Sequence, residues 1–354
     1  MGDACKQVAQ EACSRSAVWI DGRSDMGGIY HMEQNILINF RKNITWQKVL
    51  LNCGLYLAIL CIFIMFAVIN PDFLTARNMV NVFEQSAYYL VCAVGITFVL
   101  VSGANDMSVG SQVAFSSVIA TLYLAAGGSI PVSMGIMLVS ALVIGLCNGL
   151  FVVVVGLPPF IGTIATGYVV RGIVAYYTKQ ETVAGLPRSY TAFAWTKTLG
   201  LSNLTWIAIL IVLFGIYVLK YTAYGRKVYA CGSNPIAAGV MGINVKWIKI
   251  SVYIIAAISA AVASMMLMSR MGAARSGTAD LLHMECVAAA VIGGTSLKGG
   301  QGSMVGTFVG VFLVSMIRNG LNSNGINSFW QLVFTGGITL FAAVLDSYKS
   351  RANA

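Results

Sequence analysis

From Val49 to Leu345 the chain passes through one apolar run after another, with only short polar connections between them. Runs such as Leu55 to Ile69 and Val132 to Val155 do not alternate with polar residues, so a membrane β-barrel is excluded. A helix needs about 20 apolar residues to cross the hydrocarbon core, and the stretch has room for about ten such crossings. Composition points the same way, with 58% hydrophobic and only 10% charged residues, where soluble domains carry roughly a quarter charged. The expected fold is all-α, a polytopic membrane helical bundle of about ten transmembrane helices, one of them short or broken.

The candidate spans are 48–69, 80–101, 109–127, 131–155, 158–177, 204–220, 249–269, 281–297, 303–319 and 329–345. Pro131 and the Pro158-Pro159 pair stand at span starts, where proline loses no helical hydrogen bond. The eighth span is short and contains His283, Glu285 and the Gly293-Gly294 pair, which leaves a broken or re-entrant element and a full crossing equally open. The domain reading is a polar N-terminal cytoplasmic extension over 1–46, poorly ordered and without the apolar core of a cleavable signal peptide. A membrane domain over 47–348 and a cytoplasmic tail over 349–354 follow it. Met32 opens a second plausible beginning, which leaves the status of residues 1–31 open.

Basic residues orient the bundle. With both termini in the cytoplasm, fourteen lysines and arginines fall on the inner side and seven on the outer, with Arg171 inside a span. The stretch Lys220 to Lys249 has five basic residues and no acidic one, the strongest local vote for a cytoplasmic loop. The net charge of +10 is therefore read as topology, and no nucleic-acid-binding signature accompanies it. Eight cysteines lack metal-type spacing and read as small hydrophobes; His31 and His283 are too few for a His-based metal site.

Motifs of hydrolytic chemistry are missing. The chain has no Gly-x-Ser-x-Gly elbow, no His-Glu-x-x-His helix and no Gly-x-x-x-x-Gly-Lys-[Ser/Thr] phosphate loop, so ATP hydrolysis is not expected of it. Charges in apolar surroundings need a partner, a wet cavity or an interface, which singles out Glu84, Asp106, Arg171 and Glu285. Asp106 follows the break Ser102-Gly103-Ala104-Asn105 and is expected to cap the next helix. Glu285 is either a pathway group or half of an ion pair with an arginine. Glu84 is placed near the outer interface, and Arg171 is expected to snorkel or pair with a carboxylate. The spacing Gly302-x-x-x-Gly306-x-x-x-Gly310 predicts close helix packing. Met107-Ser-Val-Gly-Ser111 echoes Ser303-Met-Val-Gly-Thr307, as an internal duplication would.

The basic loop predicts a short helix over about 235–241, with Asn234 as N-cap, Pro235 at the first position and Gly242 ending it. Small residues, Ala237, Ala238 and Gly239, would then face outward for a groove on a cytoplasmic partner.

Four segments together resemble the permease subunits of ATP-binding-cassette sugar importers of the ribose, xylose and galactose type. They are Ser102-Gly-Ala-Asn-Asp106-Met-Ser-Val-Gly-Ser111, Pro159-Phe-Ile-Gly-Thr163 to Ile173, Gly225 to Val245, and Val291-Ile-Gly-Gly-Thr-Ser-Leu-Lys-Gly-Gly-Gln-Gly302. The resemblance implies a multi-pass protein of the bacterial plasma or inner membrane that takes part in sugar transport and is not itself an enzyme. It implies a coupling helix at Asn234, Ala237, Ala238, Gly239 and Gly242 that docks on a separate cytoplasmic ATPase subunit, where ATP and Mg would bind. It further implies a second permease chain, identical or not, an extracytoplasmic solute-binding protein and a monosaccharide or sugar-like solute. Asn105, Asp106, Glu285 and Thr295 are the candidate path residues. Pro235 stands where many relatives carry an acidic residue, and Ala104-Asn105 replaces a small apolar pair. An ion-coupled secondary transporter, with Asp106 and Glu285 as coupling groups, is the alternative.

Overall fold

The computed structural model describes residues 63–327 and, beyond them, 330, 331, 333, 334, 336, 337, 340, 343 and 344. The expected extension over 1–46, most of the first span, and the tail over 349–354 lie outside the described residues. Residues 63–69 are helical and lead through a short 3-10 turn, Pro71–Leu74, into helix α1, Ala76–Val101. Next come α2, Val109–Ala125, and α3, Ile130–Leu150, which a wider turn prolongs over Phe151–Val155. Then follow α4, Pro159–Thr178, strand β1, Val183–Ala184, α5, Arg188–Trp195, and the paired strands β2, Lys197–Thr198, and β3, Leu201–Ser202. The second half comprises α6, Asn203–Tyr221, α7, Ala223–Ser233, α8, Pro235–Val240, α9, Val245–Met271, β4, Ala273–Ala274, α10, Leu282–Ile292, and α11, Met304–Ser323. Every described residue of the tenth candidate span is helical.

Five helices are long and apolar enough to cross a membrane, namely α1, α3 with its extension, α6, α9 and α11, among the described residues. Their burial sorts them. α1 has 83% of its most apolar window buried, because it packs on α6, α9, α10 and α11 at once. α3 and α6 have only 28% and 33% buried. They expose Val139, Val143, Leu210 and Phe214, residues that hydrocarbon solvates as well as a protein interior does.

α10 confirms the expectation of a short element. Its eleven residues rise about 16 Å at 1.5 Å each, half of a hydrocarbon core of about 30 Å, and the helix stops at Gly293. The glycine stripe that the sequence predicts for packing holds α10 against α11. A methyl added at Gly306 would overlap the Gly293 carbonyl, and one at Gly310 the Ala289 carbonyl. Two helices, α5 and α7, were expected to be loop, since neither carries a long apolar run.

The connections gather at two ends. β1 pairs antiparallel with β4, Val183 opposite Ala274, at the end that the basic residues assign outside. There Lys197 Nζ lies 3.1 Å from the Glu84 carboxylate, and Arg270 Nη1 donates to the Glu84 carbonyl at 2.7 Å. This fits the outer placement expected for Glu84. At the opposite end the break after α1 meets α7 and the glycine run after α10.

Candidate functional site

Three of the four distinctive segments converge where α1 ends. The Gly300 N–H donates to the Val101 carbonyl at 2.9 Å, and the Tyr229 hydroxyl of α7 donates to the Gly302 carbonyl at 2.8 Å. Gly232 on α7 sits so close that a Cβ there would overlap the Val101 carbonyl and lie 2.6 Å from Gly300 N. Thr295 is buried in this junction against Gly302. The basic loop is thereby packed against the end of the central helix at Gly232 and bonded to the glycine run through the Tyr229 hydroxyl.

Directly after α7 stands α8, built by the predicted local signals. Asn234 Oδ1 accepts the N–H groups of Ile236 at 3.1 Å and Ala237 at 3.0 Å, Pro235 opens the turn, and Gly242 leaves it at φ +79°. One expectation is corrected. Ala238 does not face outward but is buried in the main core, because this side of so short a helix must close on the chain that follows it, where the Ile243 N–H donates to the Ala238 carbonyl. Ala237 and Gly239 are exposed as expected. The face is nonetheless dominated by large residues, Ile236, Val240 and Met241, 80%, 83% and 81% exposed. These three side chains form an exposed apolar face on the turn.

Asp106 and Asn105 lie just beyond the junction. Asp106 is wholly buried, and its Oδ1 accepts from the Ser108 N–H at 2.9 Å and the Ser108 hydroxyl at 2.6 Å. Ser108 Oγ in turn accepts from Gln112 Nε2 at 2.8 Å and Asn148 Nδ2 at 2.7 Å, which uses its full bonding capacity. The carboxylate thus organises the turn that precedes α2 and takes the amide of the N-cap residue; the expected bonds to first-turn amides are not made. The Asn105 carbonyl accepts from the Tyr253 hydroxyl of α9 at 3.0 Å. The second distinctive segment joins here too, since the Met107 N–H donates to Thr163 Oγ1 at 3.0 Å. Asp106→Ala is expected to lower stability by about 1–3 kcal/mol, the cost of leaving buried donors unpaired, and Asp106→Asn by less, because one oxygen remains. Thermal melting of the purified variants checks the order.

Glu285 is bonded to a different partner. It forms an ion pair with Arg318 of α11, the alternative that the sequence left open, and Arg318 lies over the Tyr89 ring at 4.7 Å to its centroid. Both line a cleft of about 620 Å³ at the outer end. Arg171 pairs with Asp280 at 3.3 Å and donates to the Ser276 carbonyl at 2.6 Å, tying α4 to the cleft's wall. The path candidates therefore divide into an inner group, Asn105, Asp106 and Thr295, and Glu285 at the outer cleft. Sequence reasoning missed Tyr88, Tyr89, Asp280 and Arg318, which carry no motif and become neighbours only through helix packing.

A family model described as a branched-chain amino acid transport system / permease component matches residues 78–343. Among curated relatives, the ribose import permease protein of Bacillus subtilis is 34% identical over 322 residues, 88% of this chain and 97% of its own. The galactose/methyl galactoside import permease protein of Salmonella typhimurium is 30% identical over 88% of this chain and 98% of its own. The ribose import permease protein of Escherichia coli K12 is 31% identical over 83% and 92%. No solved structure matches the chain.

Proposed function

We propose, from the premise that this chain belongs to the branched-chain amino acid transport system / permease component family, that it is the transmembrane permease subunit of an ATP-binding-cassette importer. It is a multi-pass membrane protein, and its solute is a monosaccharide or a sugar-like molecule, as the names of its relatives suggest. A separate cytoplasmic ATPase holds ATP and Mg, a second permease chain completes the path, and an extracytoplasmic binding protein delivers the solute. This chain contributes path and lever and no hydrolytic chemistry.

The observation that carries the reading is mechanical. An exposed apolar turn, α8, continues directly from a helix, α7, whose last turn is locked to the end of the buried central helix at Gly232, Val101 and Gly300. A partner that pulls on Ile236, Val240 and Met241 as it closes on ATP therefore displaces α1 and the α10–α11 pair, rather than a slack loop. Alternating access follows if the two bundles have inward- and outward-facing packings that the ATPase favours in turn.

Ion coupling is the weaker account. The Asp106 carboxylate is engaged by Ser108 and Gln112, and Glu285 is paired with Arg318, so neither is an unencumbered cation ligand. Reconstitution decides between them. Vesicles containing the permease, its ATPase and its binding protein are expected to concentrate sugar only with ATP. Uptake by this chain alone, driven by a sodium or proton gradient, would overturn the proposal.

A further inference from the structure

We infer that the outer cleft is a recognition site for a neutral polyhydroxylated solute, with the Glu285–Arg318 pair and the Tyr88–Tyr89 rings as its floor. The inference rests on the importer reading and assigns the site that handles the solute within it.

Charge comes first. The cleft's charged lining residues are Arg275 and Arg318 against Asp280 and Glu285, so its formal charge is zero. A site of this kind favours neither an anion nor a cation, yet its donors and acceptors suit a molecule dense in hydroxyls. At about 620 Å³ it falls within the usual range of small-molecule sites.

The floor is built from three helices. Glu285 comes from α10, Arg318 from α11 and the tyrosine pair from α1, with the two rings 4.1 Å apart. Glu285 is only 4% exposed, and its Oε1 alone is taken by Arg318; Oε2 has no hydrogen-bond partner. A buried carboxylate oxygen without a donor is costly, and hydroxyl groups supply the donor that is missing. Arg318 has further N–H groups for hydroxyl oxygens, and the tyrosine rings, stacked on each other with Arg318 over Tyr89, add an apolar wall beside them. Glu285, Arg318 and Tyr89 also border a second hollow of about 10 Å³ between α10 and α11, enough for one water. The pair thus stands between the two hollows, and a solute that exchanges its hydroxyls for the ion-pair bonds would loosen that floor as it binds.

The test uses the double variant Glu285→Leu/Arg318→Met, which removes both charges and keeps the volume apolar, a replacement that buried pairs commonly tolerate. Saturation-transfer NMR on the full-length chain in nanodiscs reads binding of D-ribose and D-galactose, with gluconate and glucosamine as anionic and cationic probes. Neutral sugars are expected to bind the wild type more strongly than either charged probe, and the double variant is expected to lose at least about tenfold, or 1.4 kcal/mol, of that binding. Thermal melting shows whether the variant is folded; if it is not, Tyr89→Ala, which removes the ring and leaves the ion pair, serves in its place with the same expectation. Sugar binding that is unchanged in the folded variant, absent from the wild type, or no stronger than that of the charged probes overturns the inference. ATP-driven uptake by the wild-type importer is measured in parallel. Its failure would strike the importer reading, whereas intact uptake with unchanged sugar binding in the folded variant would strike this site alone.

Discussion

Gly232→Val is expected to abolish ATP-driven uptake while the chain still inserts in the membrane. The side chain would grow into the Val101 carbonyl and the Gly300 amide, two backbone groups joined by a 2.9 Å hydrogen bond, and the Val101 carbonyl, at the last turn of α1, cannot move without carrying that helix with it. Overpacking costs about 1–3 kcal/mol, and loss of the backbone bond adds about 1 kcal/mol, so relief by separating α7 from α1 is favoured over accommodation. Insertion depends on the hydrophobicity of the long spans, which the substitution leaves alone. Gly242→Ala provides the contrast. Nothing lies within 4 Å of a Cβ there, and its φ of +79° makes the cost one of backbone strain at a surface turn, so it should reduce uptake far less. Vesicle uptake with membrane protein levels measured alongside checks both; a Gly232→Val importer with wild-type uptake would show that the junction transmits nothing.

The reason this junction was only partly legible in the sequence is instructive. α8 could be read directly, because Asn234, Pro235 and Gly242 are local signals that act over a few residues. The spans could be read for a similar reason, since apolar length is a property of a segment by itself. The facing of Ala238 could not, because a six-residue helix has no periodicity long enough to define an inner side, and the chain that follows it decides. Nor could the pairing of Glu285 with Arg318. It depends on how closely α10 approaches α11, which Gly306 and Gly310 permit, and thus on a tertiary contact 33 residues apart in the chain. Arg171 and Asp280 illustrate the same limit, as the need for a carboxylate was evident but its identity was not. Family resemblance filled part of the gap by marking segments that meet in space, although it did not say how they meet.

Val240→Asp is expected to lower uptake by at least about tenfold while leaving the chain folded and inserted. Val240 is 83% exposed, so an aspartate there remains hydrated in the free chain. In the proposed assembly the same side chain would be driven into the apolar contact that the exposed face of α8 is proposed to make with the ATPase. Burying a polar group without a partner costs at least about 1–3 kcal/mol, and 1.4 kcal/mol already weakens docking tenfold. The expected signature is uncoupling, in which the ATPase keeps its basal hydrolysis but no longer responds to solute-loaded binding protein, and co-purification with the permease falls. Ala238→Trp should fail differently. Because Ala238 is buried beneath the turn, a tryptophan would dislodge α8 itself and lower the melting temperature of the isolated permease, which Val240→Asp should leave unchanged. Normal solute-stimulated hydrolysis and uptake in Val240→Asp would mean that the exposed face of α8 is not where the ATPase pulls.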